Sequence, residues 1–300
     1  MAQISTEQIP LGIIIPELVE PYRTLLTEIV KGIERRTGSA RYFVLKGESG
    51  ADNLSDWAQA HASAALIALG WRSVEAAQRL NGSVPIIAGA TILNRALLNS
   101  NVTGITLRTD PHVALARLKA LVPGVRRVHV VYNPGDHTCL MERAWDAAEQ
   151  LNLTLLDYRV DAPKLSAHVQ TYRHLSRQFL DQHDALWLCD NLISVEEGMV
   201  LPLLLELAWR NRVVLFSENP QHARQGALFA FVPNYARLGE QLAEMAFACL
   251  VQPAKIPAIA PVAEVSLLIN LRTAGRLGIA VARRAQSGHL TLLPGGMVMD

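Results

Sequence analysis

The stretch "AALIALGWRSVEAAQRLNGSVPIIAGA" (64–90) decides the fold, because an apolar run, an amphipathic segment and a second apolar run follow one another directly. Short apolar runs bounded by polar residues are typical of strands that are buried on both faces of a sheet. The segment between the two runs has helical periodicity. Two strands joined by a helix form a β-α-β unit, so the stretch predicts an α/β fold with a parallel sheet.

The same alternation continues on both sides of this stretch. Upstream, "LGIII" (11–15) and "RYFVLK" (41–46) predict strands, and helical patterns cover 20–38 and 53–62. After "SNVTGIT" (100–106) the alternation restarts as a second series of similar length. We therefore expect two similar Rossmann-like lobes, each with a parallel sheet, and not one long sheet.

The second series has clear helix signals. Asp110 is expected to cap its first helix, and Pro111 to occupy the first turn. Its predicted strands cover 126–133, 153–160, 185–189 and 212–217. Its predicted helices cover 110–124, 140–152, 165–182 and 194–210.

The remainder of the chain holds only two further strand–helix pairs, within 226–251 and 265–281. These are too short for a third domain, so we expect the chain to cross back and complete each lobe. The predicted N-terminal lobe comprises residues 1–105 plus 233–263, and the C-terminal lobe comprises 106–232 plus 264–300. Several crossings would form a multi-strand hinge that is suited to opening and closing.

Composition excludes some classes of protein. The chain has 300 residues, half of them hydrophobic, and a net charge of +1. Clustered Lys and Arg, which nucleic-acid binding requires, are missing from the sequence, so no nucleic-acid partner is expected. No apolar run reaches the roughly 18 residues of a membrane-spanning helix. The first ten residues have neither the basic nor the apolar region of a signal peptide, which leaves two compartments open. The chain is either cytoplasmic, or a periplasmic or other extracytoplasmic protein whose signal peptide was removed.

Sequence motifs for catalysis or cofactor binding are also missing. The sequence has no P-loop, no dinucleotide-binding fingerprint, no nucleophile elbow and no His-Glu-x-x-His motif. The three cysteines form no C-x-x-C pair. We therefore expect no cofactor, no metal and no catalytic activity. His137, Cys139 and Cys189 are three loosely placed metal-ligand types, and small buried thiols are the commoner case.

Ligands of open α/β sheets bind beyond the carboxyl ends of the strands, so the residues that follow each predicted strand are the candidate site. In the N-terminal lobe, Trp71 offers a stacking face and Arg72 a bidentate partner for a carboxylate. Core packing for Trp71 and a solvated helix face for Arg72 are the alternatives. The candidates of this lobe are Tyr22, Arg23, Trp71, Arg72, Ser73 and Thr91.

In the C-terminal lobe the same criterion selects residues after three predicted strands. Asp190, at the end of "ALWLCD", would pair with a ligand ammonium, and Asn191 both donates and accepts hydrogen bonds. Capping of the next helix is the alternative for Asp190. Free N–H groups at the helix start in "YNPGDHT" (132–138) would suit a carboxylate or phosphate. The candidates of this lobe are Asn133, His137, Thr138, Asp190, Asn191 and Glu218.

Five segments occur in an order that resembles a known family. They are "NVTGI" (101–105), "KALVPGVRRVHVVYNPGD" (119–136), "DALWLCDNLIS" (184–194), "GALFAFVPNYARLGEQLAEMA" (226–246) and "LLINLRTAGRLGI" (267–279). Together they resemble the ABC-transporter substrate-binding proteins typified by the tryptophan/tyrosine-type binding proteins, well over about residues 84 to 280. The resemblance implies the type I periplasmic-binding-protein fold and capture of a small molecule between two lobes without catalysis.

The resemblance also implies roles for particular residues. It implies that Asp190 and Asn191 hold the amino group of a ligand and that Gly135 to Cys139 face its carboxylate, and it matches Gly70 to Ser73 with the family's loop after the third strand. The chain departs from the family at three places. Asp136, His137 and Cys139 stand where members have small hydroxyl or amide residues, "GWR" where they have Gly-Thr, and "ILNRA" (92–96) where they have a polar residue followed by Asp-Pro. We therefore expect a bulkier and more charged pocket.

The expected function is that of a monomeric solute-binding protein. It would capture an amino-acid-like molecule, or another small carboxylate or amine, for the membrane permease of an ABC-type transporter, or for a sensor or receptor. One alternative is a ligand-sensing regulatory or interaction module of the same fold. A second is a two-lobed, racemase-like enzyme, which would need acid and base groups that face each other.

Overall fold

The structure is a computed structural model that describes residues 10–17, 20, 22–38, 40–46, 53–61, 63–80, 84–160, 165–177, 180–189, 197–252, 259–281 and 290–293. For residues 135–139, 165–166, 176 and 197–199 only the backbone is described. The chain divides into two compact units. The N-terminal unit comprises residues 1–108 and 233–264, and the C-terminal unit comprises 109–232 and 265–300. The chain therefore passes between the units three times.

Strands and helices alternate in the first pass through the N-terminal unit. In order they are β1 (Leu11–Pro16), α1 (Tyr22–Thr37), β2 (Arg41–Leu45), α2 (Leu54–Ala60), β3 (Ala65–Leu69), α3 (Trp71–Gln78), β4 (Ile86–Gly89), a 3₁₀ turn (Arg95–Leu97) and β5 (Val102–Thr109). The apolar run of the opening stretch is buried along its whole length in β3. This matches the pattern of a strand that is covered on both faces.

The C-terminal unit repeats the alternation. Its elements are α4 (Pro111–Leu121), β6 (Arg127–Tyr132), α5 (Pro134–Gln150), β7 (Thr154–Arg159), α6 (Leu165–Ser176), β8 (Asp184–Leu188), α7 (Glu197–Asn211), β9 (Val214–Ser217), α8 (Pro220–Gln225) and β10 (Phe229–Pro233). The chain then returns to the N-terminal unit with α9 (Tyr235–Val251) and β11 (Ala260–Val262). It finishes in the C-terminal unit with β12 (Val265–Asn270), α10 (Leu271–Leu277) and β13 (Leu290–Leu293).

In the described part of the chain, each unit contains one sheet. The N-terminal sheet has the strand order β11-β5-β4-β3-β1-β2, and the neighbours from β5 to β2 pair in parallel. The C-terminal sheet has the order β13-β12-β10-β9-β8-β6-β7, with parallel pairing from β10 to β7 and between β12 and β13. The predicted fold class, α/β with two parallel-sheet lobes, is confirmed.

Helix α1 packs against α9 at very close range inside the N-terminal unit. A Cβ atom added to Gly32 would lie 1.9 Å from the Ala236 carbonyl oxygen, and one added to Gly239 would lie 1.9 Å from that of Ile29. Only glycine allows two helix backbones to approach so closely. This contact fixes α9, which the chain reaches only after it has passed through the C-terminal unit.

Several element boundaries differ from the sequence prediction. The cap at Asp110 is confirmed, because its side chain accepts the His112 N–H, with Pro111 in the first turn. Helix α6 ends at Ser176, whereas the prediction extended to 182. Helix α8 and strands β11 and β13 were not predicted. They have three to six residues each, which is too short for a periodicity to be recognised.

Candidate functional site

The strand order of the N-terminal sheet reverses at β1, because β2 pairs with one side of β1 and β3 with the other. Such a switch point leaves a crevice beyond the carboxyl ends of the two strands, where open α/β sheets bind ligands. A Cβ atom added to Gly70, the residue after β3, would lie 3.6 Å from Pro16 Cγ at the end of β1. Gly70 has a φ of +82° and donates its N–H to the Gly89 carbonyl oxygen at 2.8 Å. The ends of β1, β3 and β4 therefore lie together.

Helix α3 begins at this edge, and the three candidates in "GWRS" form its first turn. Trp71 is half-buried and packs against the hydrophobic core between α3 and the sheet. Arg72 is exposed. Ser73 is fully buried, and its Oγ has no hydrogen-bond partner among the described residues. All three therefore lie at the switch point, but Trp71 and Ser73 pack into the core whereas Arg72 is exposed at the surface.

The other candidates of this unit are spread along the same edge. Tyr22 and Arg23 open α1 after β1, and both are exposed, Tyr22 to 61%. Thr91 follows β4, is half-buried, and accepts the Leu107 N–H on its carbonyl oxygen at 3.0 Å. The preceding residue, Ala90, has a φ of +58°, which is unusual for a residue with a side chain. This strained turn is a feature that no sequence pattern indicated.

The C-terminal sheet has the same switch, because β7 pairs on one side of β6 and β8 on the other. Asn133 follows β6 and is half-buried. Cys189 follows β8, is 1% exposed, and its thiol lies 4.0 Å from the Val131 carbonyl oxygen. These residues mark the crevice beyond the carboxyl ends of β6 and β8.

Four candidates cannot be placed by their side chains. His137 and Thr138 lie in the first turns of α5, directly after β6, in a segment whose side chains are outside the described residues. Asp190 and Asn191 come immediately after Cys189, and they too lie outside the described residues. Within the part of the chain that is described, no three His, Cys, Asp or Glu side chains are placed to hold a metal ion. The roles predicted for these four residues stay predictions.

Glu218 lies at the carboxyl end of β9, next to β8. It is half-buried, and its N–H donates to the Leu188 carbonyl oxygen at 3.3 Å. The residue before it, Ser217, is buried and lies 2.7 Å from His222 Nδ1 through its Oγ. The sequence prediction included Glu218 but missed this Ser–His contact. The only local signal was Asn-Pro at 219–220, which is typical of a capped helix start.

A cluster of charged residues lies at the opposite, amino end of this sheet. Asp184 is fully buried and accepts two hydrogen bonds from Arg127, at 2.6 and 2.8 Å, and one from His129 at 2.9 Å. Burial works to raise the pKa of Asp184, but hydrogen bonds from Arg127, the Asp181 N–H and His129 lower it to about 2. Among the described residues, the hydrogen bonds that Asp184 accepts come from Arg127, His129 and the Asp181 N–H of the same unit, which is typical of a structural cluster.

Comparisons with known proteins agree with this arrangement. Residues 69–286 match the family model described as ABC transporter substrate binding protein. Among curated proteins no match was found. None of the helices in the described ranges has both the length and the apolar character needed to cross a membrane.

Three solved structures are similar to this chain over nearly its whole length. The ligand-free, open structure of CD0873, a substrate binding protein with adhesive properties from Clostridium difficile, has 17% identity and a TM-score of 0.66, over 95% of this chain and 99% of that chain. The ABC domain in complex with L-Trp from Streptococcus pneumonia has 17% identity and a TM-score of 0.57, over 94% and 100%. A conserved domain protein from Vibrio cholerae has 19% identity and a TM-score of 0.55, over 94% and 100%. These likenesses confirm the predicted type I periplasmic-binding-protein fold.

Proposed function

The chain belongs to the ABC transporter substrate-binding protein family, and we propose that it captures a small amine-bearing carboxylic acid for an ABC-type permease. The observation that carries this proposal is the position of the candidate residues. In both units most of them follow the two strands that flank a topological switch point, where open α/β sheets bind ligands, and Thr91 and Glu218 follow the next strand of each sheet. Capture without chemistry is the function of this family, and it requires no catalytic group.

The residue types at the two edges support a zwitterionic ligand. In the N-terminal unit, Arg72 is an exposed guanidinium at the start of α3, where the helix dipole also favours an anion. In the C-terminal unit, Asp190 follows β8 and would receive the ammonium group. Trp71 adds an aromatic ring next to the carboxylate site. The L-Trp bound to the pneumococcal ABC domain is a molecule of this class, and it is the first ligand to test.

The ligand would provide the signal to the permease by shifting a two-state equilibrium, which it does only by its differential affinity for the two states. We propose an extracytoplasmic location, since a permease receives its substrate from that side. We further propose that the protein acts as a monomer.

The first experiment is native mass spectrometry of the freshly purified protein, followed by identification of the small molecules released on denaturation. We expect a stoichiometric adduct that carries both an amine and a carboxylate. Calorimetric titration with L-tryptophan and the other amino acids would then rank the ligands. An empty protein whose melting temperature is unchanged by this panel would contradict the proposal and would favour an interaction module of the same fold.

Two substitutions on one helix separate binding from stability. Arg72→Ala is expected to weaken the affinity for the captured acid at least tenfold, since it removes a charged partner of the carboxylate. Arg79→Ala is the matched control, because Arg79 is exposed at the other end of α3 and pairs with Glu75 at 2.9 Å. Equal affinities of the two variants would exclude Arg72 from the site.

A further inference from the structure

The turn between β9 and α8 carries Glu218 and is closed by four hydrogen bonds. Ser217 Oγ accepts the Asn219 N–H at 3.0 Å, and the Asn219 side chain accepts the Gln221 N–H at 2.9 Å. The Asn219 carbonyl oxygen accepts the His222 N–H at 3.1 Å, and the Leu188 carbonyl oxygen accepts the Glu218 N–H at 3.3 Å. The backbone of the turn is therefore fixed on both sides of Glu218.

The contact between Ser217 and His222 is the buried centre of this turn. The two residues are 1% and 2% exposed, and Oγ lies 2.7 Å from Nδ1. The Ser217 hydroxyl has a single proton to donate, and its oxygen already accepts the Asn219 N–H. Its second possible acceptor, the Leu188 carbonyl oxygen, is more distant at 3.4 Å. The shorter distance favours donation from the Ser217 hydroxyl to Nδ1, which requires an unprotonated Nδ1 at His222.

We propose that His222 is a positioning residue for ligand binding. It acts through Ser217 and does not contact the ligand itself. Its Nδ1 orients the Ser217 hydroxyl, so that the lone pairs of Oγ face the Asn219 N–H. This bond sets the path of the backbone through Glu218, whose N–H donates to the Leu188 carbonyl oxygen at the end of β8. Glu218 then completes the acidic side of the site, where the ammonium group of the ligand is bound. The inference rests on the proposed function for that last step.

The test compares three variants, His222→Leu, His222→Asn and Ser217→Ala. Leu removes the acceptor and replaces the ring with an apolar side chain. Asn restores an acceptor, because its Oδ1 lies at the same number of bonds from Cα as Nδ1 of histidine. His129→Leu is the control, because His129 is about as buried as His222 and belongs to the same unit, but lies on β6 and bonds to Asp184 at the amino end of β8. A general loss of stability would affect His129→Leu and His222→Leu alike.

The first readout uses the protein without ligand. We expect hydrogen exchange of the Asn219 N–H to be at least tenfold faster in His222→Leu and Ser217→Ala than in the wild-type protein. In His222→Asn and His129→Leu it should remain within about threefold. The nitrogen chemical shifts of labelled histidine should show an unprotonated Nδ1 at His222. A protonated Nδ1, or equal exchange in His222→Leu and His129→Leu, would overturn the inference.

The second readout is the affinity for L-tryptophan. We expect a loss of at least tenfold in His222→Leu, recovery to within about threefold in His222→Asn, and little change in His129→Leu. Wild-type affinity in His222→Leu would show that the turn does not position the site. If the wild-type protein ignores L-tryptophan and every other amino acid of the panel, the proposed ligand class fails, and the exchange measurement still decides whether His222 holds the turn.

Discussion

Arg237 Nε lies 3.0 Å from Glu264 Oε1, and this ion pair joins the two ends of the segment that the chain inserts into the N-terminal unit on its return. Arg237 is in the first turn of α9, and Glu264 is the last residue before the chain leaves the unit. A backbone bond from the Asn234 N–H to the Glu264 carbonyl oxygen, at 3.0 Å, reinforces the pair. Arg237 also contacts Glu240 and Glu244, at 2.8 and 3.3 Å. The guanidinium therefore organises three carboxylates.

Replacement of Arg237 by Ala is expected to lower the melting temperature more than Glu264→Gln, because the first change affects three carboxylates and the second only one. Exposed pairs contribute little, so Glu264→Gln should lower the melting temperature by only about 1–2 °C. Both effects should shrink in 1 M NaCl, where the Debye length is about 3 Å. Thermal unfolding at low and high salt checks this. A salt-independent loss would show that packing, and not charge, is responsible.

The close contact of α1 and α9 predicts that Gly239→Ala destabilises the N-terminal unit. The new methyl group would meet the Ile29 carbonyl oxygen at 1.9 Å, and a backbone atom can yield only if the two helices separate. Overpacking of this kind costs about 1–3 kcal/mol. Urea unfolding measures the change.

Gly275→Ala is the matched control for this substitution. Gly275 is also helical, in α10, and a Cβ atom there would meet nothing within 4 Å. Alanine should therefore stabilise the protein by about 0.5–1 kcal/mol through its helix propensity. Destabilisation by both substitutions would contradict the assignment of the effect to the helix contact.

The depressed pKa of Asp184 predicts that its contribution to stability depends on pH. Its pKa is about 2 in the folded protein against an ordinary value of 3.8, so the folded state favours the carboxylate. A lowered pKa stabilises the fold above the unfolded pKa, and this stabilisation is lost as the pH falls. Asp184→Asn should therefore lower the free energy of unfolding by on the order of 2 kcal/mol at pH 7. The difference should decrease between about pH 4 and pH 2.

Urea unfolding of both proteins between pH 2 and pH 7 tests this. Asp146→Asn, at an exposed position on α5, controls for the general effect of removing one negative charge. A difference between wild type and Asp184→Asn that stays constant down to pH 2 would mean that the carboxylate charge is not what stabilises the cluster.

Asp110 combines a helix cap with an ion pair, and variants can separate the two. Its Oδ1 accepts the His112 N–H at 2.9 Å, and its Oδ2 accepts from Arg143 Nη2 at 2.6 Å. Asp110→Ala loses both and should lower the free energy of unfolding by about 1–2 kcal/mol. Asp110→Asn retains the cap, and Arg143→Ala removes only a half-exposed partner, so each should lower it by less than about 1 kcal/mol. Equal losses in all three variants would mean that the ion pair outweighs the cap.

The order of strands and helices was predictable because it is written in local patterns. The apolar run before Gly70 is buried residue by residue in β3, and the polar–Pro pair at Asp110 caps α4 as expected. The position of the candidate residues after their strands followed from the same patterns. Helix α8 was not predicted, because its six residues between two buried strands show no recognisable hydrophobic period.

The sequence by itself determined the alternation of elements and the polar residues that follow each strand, since periodicity depends only on which side of each element meets the core. The tertiary structure alone decided which strands are neighbours, and so where β1 and β6 become switch points. It alone placed Gly239 against Ile29, which are more than two hundred residues apart in the sequence. Such partners are selected by the simultaneous packing of distant segments, and no window of local sequence contains that information.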